Sequence, residues 1–140
     1  MIDNLDFKND YNPLIFYQRT YDFLKNEKEL TENVLEWLYC NYSNIALDAL
    51  NIIDKFKVKK VISESNQILY VIKNNKIEKF ICLPDVHYCS CDKFIKQVII
   101  QEKENMCEHL LSAVIAEKIP LKIKEINLSN EEFAKLLMSI

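Results

Sequence analysis

Two closely spaced pairs of metal-ligand residues restrict this sequence more than any other feature. Cys89 and Cys91 are separated by one residue, and Cys107 and His109 repeat that spacing after fifteen intervening residues. Zinc prefers four tetrahedral ligands drawn from thiolate and imidazole groups. Such short-spaced pairs rarely arise together by chance. The sequence therefore predicts one structural zinc ion held by a closed Cys₃His set, and the fold must bring both pairs to one point.

The backbone at each pair follows from side-chain direction. In an extended chain, residues two apart point to the same side, so Cys89 and Cys91 can bind one ion from a strand end or a knuckle. On a helix, residues two apart lie about 200° apart. We therefore place Cys107 in a loop and His109 in the first turn of the next helix, where the helix N-terminus favours a nearby thiolate.

The other cysteines and the second histidine allow several interpretations. Cys40 and Cys82 fall in a predicted helix and a predicted strand, where a buried apolar role is favoured over a ligand role. His87 can replace a ligand, donate a hydrogen bond to the site, or lie on the surface. Because four ligands are already present, the ligand role is the least favoured of the three.

Catalysis is not expected of this chain. A closed four-ligand zinc site has no open position for water. A nucleophile pair made of Cys107 and His109 lacks a third orienting group and an evident oxyanion hole. The chain has no glycine, which excludes the glycine-rich phosphate loops of nucleotide-binding enzymes. We expect neither an enzyme nor a small-molecule substrate.

Composition and charge restrict the kinds of protein that this chain can be. The net charge is −3, whereas a protein that binds duplex DNA alone usually carries a basic surplus. The polar, acidic segment 1–13 does not resemble a signal peptide, and no apolar run approaches membrane-spanning length. We expect an intracellular protein with no membrane association and with its five cysteines reduced.

The periodicity of apolar residues predicts an α+β fold in a single domain over residues 1–140. Region 1–55 is helical, region 56–119 holds a β-hairpin and the zinc motif, and region 120–140 is a C-terminal helix. The predicted helices are Pro13 to about Lys28, a helix capped by Thr31, Asn44 to about Lys55, Asp92–Ile100, His109–Ile119 and a helix after the Ser129 capping box. Three strands are predicted: the first starts near Phe56, the second runs from Gln67 to Lys73, and the third runs from Lys76 to Leu83. They form a small three-stranded antiparallel sheet with a turn at Asn74-Asn75.

The helical region 1–55 is a candidate partner surface. Helix 44–55 has only a narrow polar stripe, so it needs cover on most of its sides. Aromatic side chains of the kind enriched at interfaces lie nearby, among them Tyr17 and Tyr21. The alternative is that the helices and the sheet cover one another completely. In the second helix we expect inward positions for Val34, Leu35, Leu38 and Tyr39.

Lysines alternate along the predicted strands. The set comprises Lys55, Lys57, Lys59, Lys60, Lys73, Lys76 and Lys79. A basic sheet face of this kind can bind a phosphate backbone. A solvated face is the favoured interpretation, since Glu64 and Glu78 dilute the charge.

The Cys-x-Cys and Cys-x-His pairs, placed after a β-hairpin and before an apolar helix, resemble the SWIM-type zinc finger. His87-Tyr88-Cys89-Ser90-Cys91, the run from Cys107 to Leu111 and the stretch from Asn44 to Leu50 are similar to the small SWIM-domain subunits of Shu complexes. The similarity extends along nearly the whole chain. Members of that family often carry a basic residue between Cys and His, whereas this chain has Glu108.

The resemblance implies a function. Shu-type subunits pair with RecA-like recombinase paralogues and promote recombinase filaments on single-stranded DNA during homologous recombination. It implies a nuclear protein whose zinc ligands are Cys89, Cys91, Cys107 and His109, with single-stranded DNA bound only weakly or through the partner. The alternative is a SWIM module serving as an adaptor in ubiquitin transfer or as a transposase-derived DNA binder.

Overall fold

The computed structural model describes residues 13–55, 57–74, 78–102 and 105–139, without the side chains of Pro13 and Leu14. Predictions for segment 1–12, for Phe56, for Asn75 in the turn and for the start of the third strand at Lys76 lie outside the described residues. Within them the α+β class is confirmed.

The described elements follow one another in the order predicted for the N-terminal half. Six helical segments are α1 (Pro13–Leu24), α2 (Glu32–Tyr42), α3 (Asn44–Asp54), a π-helix (Phe94–Ile100), α4 (Glu108–Lys118) and α5 (Asn130–Met138). The strands are β1 (Val58–Ser63), β2 (Ile68–Lys73), β3 (Lys79–Leu83), β4 (Tyr88–Cys89) and β5 (Lys124–Leu128), with a 3₁₀ turn at Pro84–Val86.

Capping residues account for the ends of the N-terminal helices. Thr31 caps α2 as predicted, because its side chain accepts a hydrogen bond from the amide of Val34. Ser43 separates α2 from α3 with a φ of 52°, a conformation that glycine would usually supply and that this chain must place on another residue. Helix α1 ends at Leu24, earlier than the expected Lys28.

The sheet differs from the prediction of three antiparallel strands. Its order is β4-β3-β2-β1-β5, and β5 runs parallel to β1. Strands β1 to β3 pair antiparallel as expected. β4 contains only two residues, which is too short for a periodic signal. β5 lies in region 120–140, for which only the C-terminal helix was predicted. The parallel pairing depends on a long crossover through α4, which local sequence does not show.

Two apolar layers cover the sheet. On one face, α4 is surrounded by other elements, and its residues Leu110, Leu111, Val114 and Ile115 are fully buried. On the other face, Phe133 of α5 closes a smaller cluster with residues of β1, β2 and β3. No helix of the described residues is long and apolar enough to cross a lipid bilayer.

Burial corrects several expected positions in the helical region. Val34 and Leu38 are buried as predicted, but Tyr39 is 51% exposed. Tyr17 was a candidate interface residue, yet it is buried inside the chain and its hydroxyl donates a hydrogen bond to the carbonyl of Pro84. Its ring also contacts the ring of Tyr21 edge-on. Part of the aromatic set that was expected at the interface therefore belongs to the core.

Candidate metal centre

The four predicted ligand residues come together in the fold. One ligand atom from each of Cys89, Cys91, Cys107 and His109 lies within 4.8 Å of all the others, and all four residues are buried. Ligand atoms bonded to one tetrahedral zinc at about 2.3 Å are about 3.8 Å apart, so the observed group is of the size that one such ion needs. The four residues therefore form a group that could hold a single metal ion.

The first pair sits where a strand turns into a helix. Cys89 lies in β4, opposite Cys82 of β3. Cys91 follows β4, and its Sγ atom accepts a hydrogen bond from the amide of Phe94 at 3.3 Å. This is the strand-end knuckle that the spacing predicts, and the amide hydrogen bond favours negative charge on the sulfur.

The second pair lies at the start of α4, as predicted. Cys107 is the N-cap of the helix, and its Sγ atom accepts a hydrogen bond from the amide of Leu110 at 3.4 Å. His109 occupies the first turn. A cysteine in extended backbone followed by a histidine in helical backbone allows two residues with this spacing to face one point.

The imidazole of His109 supplies a test of whether a metal fits. Its Nδ1 atom is buried and has no hydrogen-bond partner within the described part of the chain. An unsatisfied buried polar atom is costly, and coordination to a metal removes that cost. The donor set of three sulfurs and one imidazole nitrogen also suits zinc better than calcium or magnesium, which prefer oxygen.

The pKa shifts of the buried thiols also favour a bound cation. Hydrogen bonds from Cys107 and Cys89 hold the pKa of the Cys91 thiol well below its usual range. Burial raises the pKa of Cys107. One thiol thus ionises at the expense of its neighbour, because several negative charges in a buried site repel one another. A bound cation permits all three to be thiolates.

The other side of His109 contacts an aromatic ring and faces a carboxylate. The ring of Phe80 lies 4.3 Å from the imidazole, centroid to centroid. The Nε2 atom is 3.8 Å from Oε1 of Glu108, whose other carboxylate oxygen is 3.3 Å from Nζ of Lys93. Glu108 therefore lies between a cation and the imidazole.

His87 is not part of the ligand group. Its Nε2 atom is 2.8 Å from the carbonyl oxygen of Asn105, and its ring packs against Tyr17 and Phe94. Burial lowers the pKa of His87, which favours the neutral ring. The residue joins the segment before Cys107 to the turn before Cys89. Sequence spacing indicated neither Asn105 nor this linking role.

The two remaining cysteines differ in burial. Cys82 is fully buried, as predicted, and stands beside Cys89 across the β3–β4 pair. Cys40 is exposed, so its predicted burial is wrong. It lies on the outer side of α2, where a small apolar residue can be tolerated in solvent.

Comparisons with known proteins agree with the motif. The zinc finger SWIM domain-containing protein 7 homolog of Dictyostelium discoideum is 31% identical over 112 residues, which cover 79% of this chain and 71% of that protein. The chain belongs to the zinc finger SWIM domain-containing protein 7 family. The mouse (Mus musculus) protein of that name is 24% identical over 82% of this chain and 75% of its own length. The zebrafish (Danio rerio) protein is 27% identical over 86% and 83%.

The predicted resemblance to SWIM-type zinc-finger proteins is confirmed by these relatives and by the clustered Cys and His side chains. No family model matches the chain. No solved structure matches it either. Membership of the zinc finger SWIM domain-containing protein 7 family therefore rests on the relatives' sequences, and the buried Cys and His group is consistent with a zinc finger.

Proposed function

We propose that this chain is a zinc-binding accessory subunit of a Shu-type complex, which assists homologous recombination by promoting recombinase filaments together with a RecA-like paralogue. The observation that carries the proposal is the buried Cys₃His group in a chain of the zinc finger SWIM domain-containing protein 7 family. We place the protein in the nucleus and assign its activity to binding, with no catalytic step.

The proposed metal is one structural zinc ion, ligated by Cys89, Cys91, Cys107 and His109. It would join β4 to the first turn of α4, two elements that are separated along the chain by the π-helix. Its role is to stabilise the fold, because metal binding by a small buried Cys₃His group is coupled to folding. The partner surface then depends on the metal without touching it.

The helical region offers a surface for the protein partner. Tyr39 of α2 and Leu47 of α3 are each 51% exposed. Large apolar side chains on a surface mark interaction sites when they are grouped, and aromatic residues are enriched at such sites. We therefore assign the partner surface to the exposed side of α2 and α3. Tyr17 belongs to the core instead.

The direct experiment is co-expression of the chain with a RecA-like recombinase paralogue, followed by size-exclusion chromatography with light scattering. We expect a stable heteromer that retains about one zinc per copy of this chain. The matched control is an unrelated recombinase-fold ATPase, which we expect to elute separately. Proximity labelling in cells that recovers a ubiquitin ligase in place of a recombinase paralogue would favour the adaptor alternative and contradict the proposal.

A further inference from the structure

A row of lysines crosses one end of the sheet. Lys79 of β3, Lys73 of β2, Lys59 of β1 and Lys124 of β5 come from four neighbouring strands. Lys73 stands directly opposite Lys79, and Lys59 stands directly opposite Lys124. Only the three strands nearest the N-terminus were expected in the sheet, so Lys124 joins the row through the parallel pairing of β5.

The row runs along the edge of the α5 cluster. Each lysine is two residues away, in its own strand, from an apolar residue of the α5-covered face. The pairs are Lys59 with Val61, Lys73 with Val71, Lys79 with Ile81 and Lys124 with Ile126. Residues two apart in a strand share a face, so the four ammonium groups lie on the face that α5 only partly covers.

The lysines repel one another. Like charges directly opposite across two strands are destabilising, and this row contains two such pairs. Repulsion by Lys73, followed by burial and by Lys124 and Lys79, lowers the pKa of Lys59. Among the described residues, no carboxylate lies within ion-pair distance of any of the four. Glu125 alternates with Lys124 in β5 and so points to the opposite face, and the carboxylate of Glu78 accepts a hydrogen bond from the side chain of Asn74.

We infer that this lysine row is a binding site for the phosphate backbone of a single nucleic-acid strand. Three gaps between neighbouring strands of about 4.8 Å make the row about 14 Å wide across the sheet, with Lys59 and Lys124 set two residues further along their strands than Lys73 and Lys79. A stacked strand carries about one phosphate per 3.4 Å, so about four phosphates fit along it. The inference goes beyond the proposed function, because it assigns phosphate contacts to this chain itself.

The shape of the face favours a single strand. α5 covers the adjoining apolar residues through Phe133, so the lysines form a band at the edge of the covered surface. Such a band matches one line of phosphate charges. A chain with a net charge of −3 can still hold such a local site, and four contacts predict weak binding that salt readily abolishes.

The test is fluorescence anisotropy of the zinc-loaded full chain with a labelled oligothymidine across a salt series. We expect a slope of log K against log salt of about −3, since about 0.7 arises from each single-strand phosphate contact. The variant K79Q/K124Q should reduce that slope by about 1.4. The control variant K25Q/K96Q also removes two exposed lysines, one in the turn after α1 and one in the π-helix, neither of them in the row, and should leave the slope unchanged.

Unaltered circular dichroism and zinc content establish that each variant is folded. Three results would overturn the inference: no binding at low salt, equal slopes for the two double variants, or equal affinity for a polyglutamate peptide that is lost in K79Q/K124Q. The last result would assign the row to an acidic protein. Capture of the recombinase paralogue by K79Q/K124Q should be normal, which separates this inference from the proposed complex.

Discussion

The Nε2 atom of His109 faces the carboxylate of Glu108 at 3.8 Å, while the Nδ1 atom on the other side of the same ring is buried without a partner in the described structure. This arrangement assigns different roles to the two nitrogens. Nδ1 is the buried nitrogen left available to a metal, and Nε2 is the nitrogen that lies near the carboxylate. A carboxylate behind a metal-bound histidine orients the ring and raises its basicity.

Glu108→Gln should therefore lower zinc affinity by about 10-fold or more, because the carboxylate that orients His109 is lost. Competition with a chromogenic chelator measures this directly. The control is Lys93→Gln, which removes the cation from the other side of Glu108 and leaves the carboxylate in place. Equal affinities for the wild type and Glu108→Gln would show that the carboxylate does not act on the metal site.

The purified protein should contain one zinc per chain, measured by elemental analysis. Cys89→Ala and His109→Ala should lose the metal and much of the folded structure, since both side chains are buried in the group. Cys40→Ser is the matched control, because that cysteine is exposed and outside the group. A well-folded, metal-free wild-type chain at neutral pH would contradict the zinc assignment.

Exposed and buried aromatic residues of the helical region should respond differently to substitution. Tyr39→Ser combined with Leu47→Ser should weaken the recombinase-paralogue complex by about 2 kcal/mol or more and leave thermal stability nearly unchanged. Tyr17→Ser should lower the melting temperature, because it empties a buried site and removes the hydrogen bond to Pro84. Calorimetric titration and thermal unfolding measure the two effects. Full partner affinity in the first variant would place the interface elsewhere.

The lysine row should also leave a signature in the pH dependence of stability. The folded-state pKa of Lys59 is depressed below 10.5, mainly by Lys73, so the unfolded chain binds more protons between the two pKa values. Below the folded-state pKa, repulsion of the charged Lys59 destabilises the folded chain. The free energy of unfolding therefore increases as the pH rises from that pKa toward 10.5. In Lys73→Gln, NMR titration should give a higher pKa for Lys59. An unchanged value would show that the two ammonium groups do not interact.

Isolated from its partner, the chain should bind single-stranded DNA weakly at physiological salt, because its net charge is negative and the lysine row is short. The complex with the paralogue should bind more tightly and keep a clear salt dependence. Anisotropy with the same oligonucleotide compares the two. Tight binding by the lone chain would mean that phosphate contacts extend well beyond the row.

The sequence by itself determined the local features. The spacing of Cys89, Cys91, Cys107 and His109 predicted both the group and its backbone, since side-chain direction depends only on whether each pair is extended or helical. The Thr31 cap and the Ser129 capping box were likewise readable, because a cap is formed by residues three apart along the chain.

Only the tertiary structure decided what depends on distant segments. β5 pairs with β1 across about sixty residues of chain, and its short alternating pattern was insufficient to distinguish it from the neighbouring helix. The burial of Tyr17 and the exposure of Tyr39 depend on which helix covers which face. The lysine row exists only because four strands align their ends, and periodicity within one strand contains no information about its neighbours.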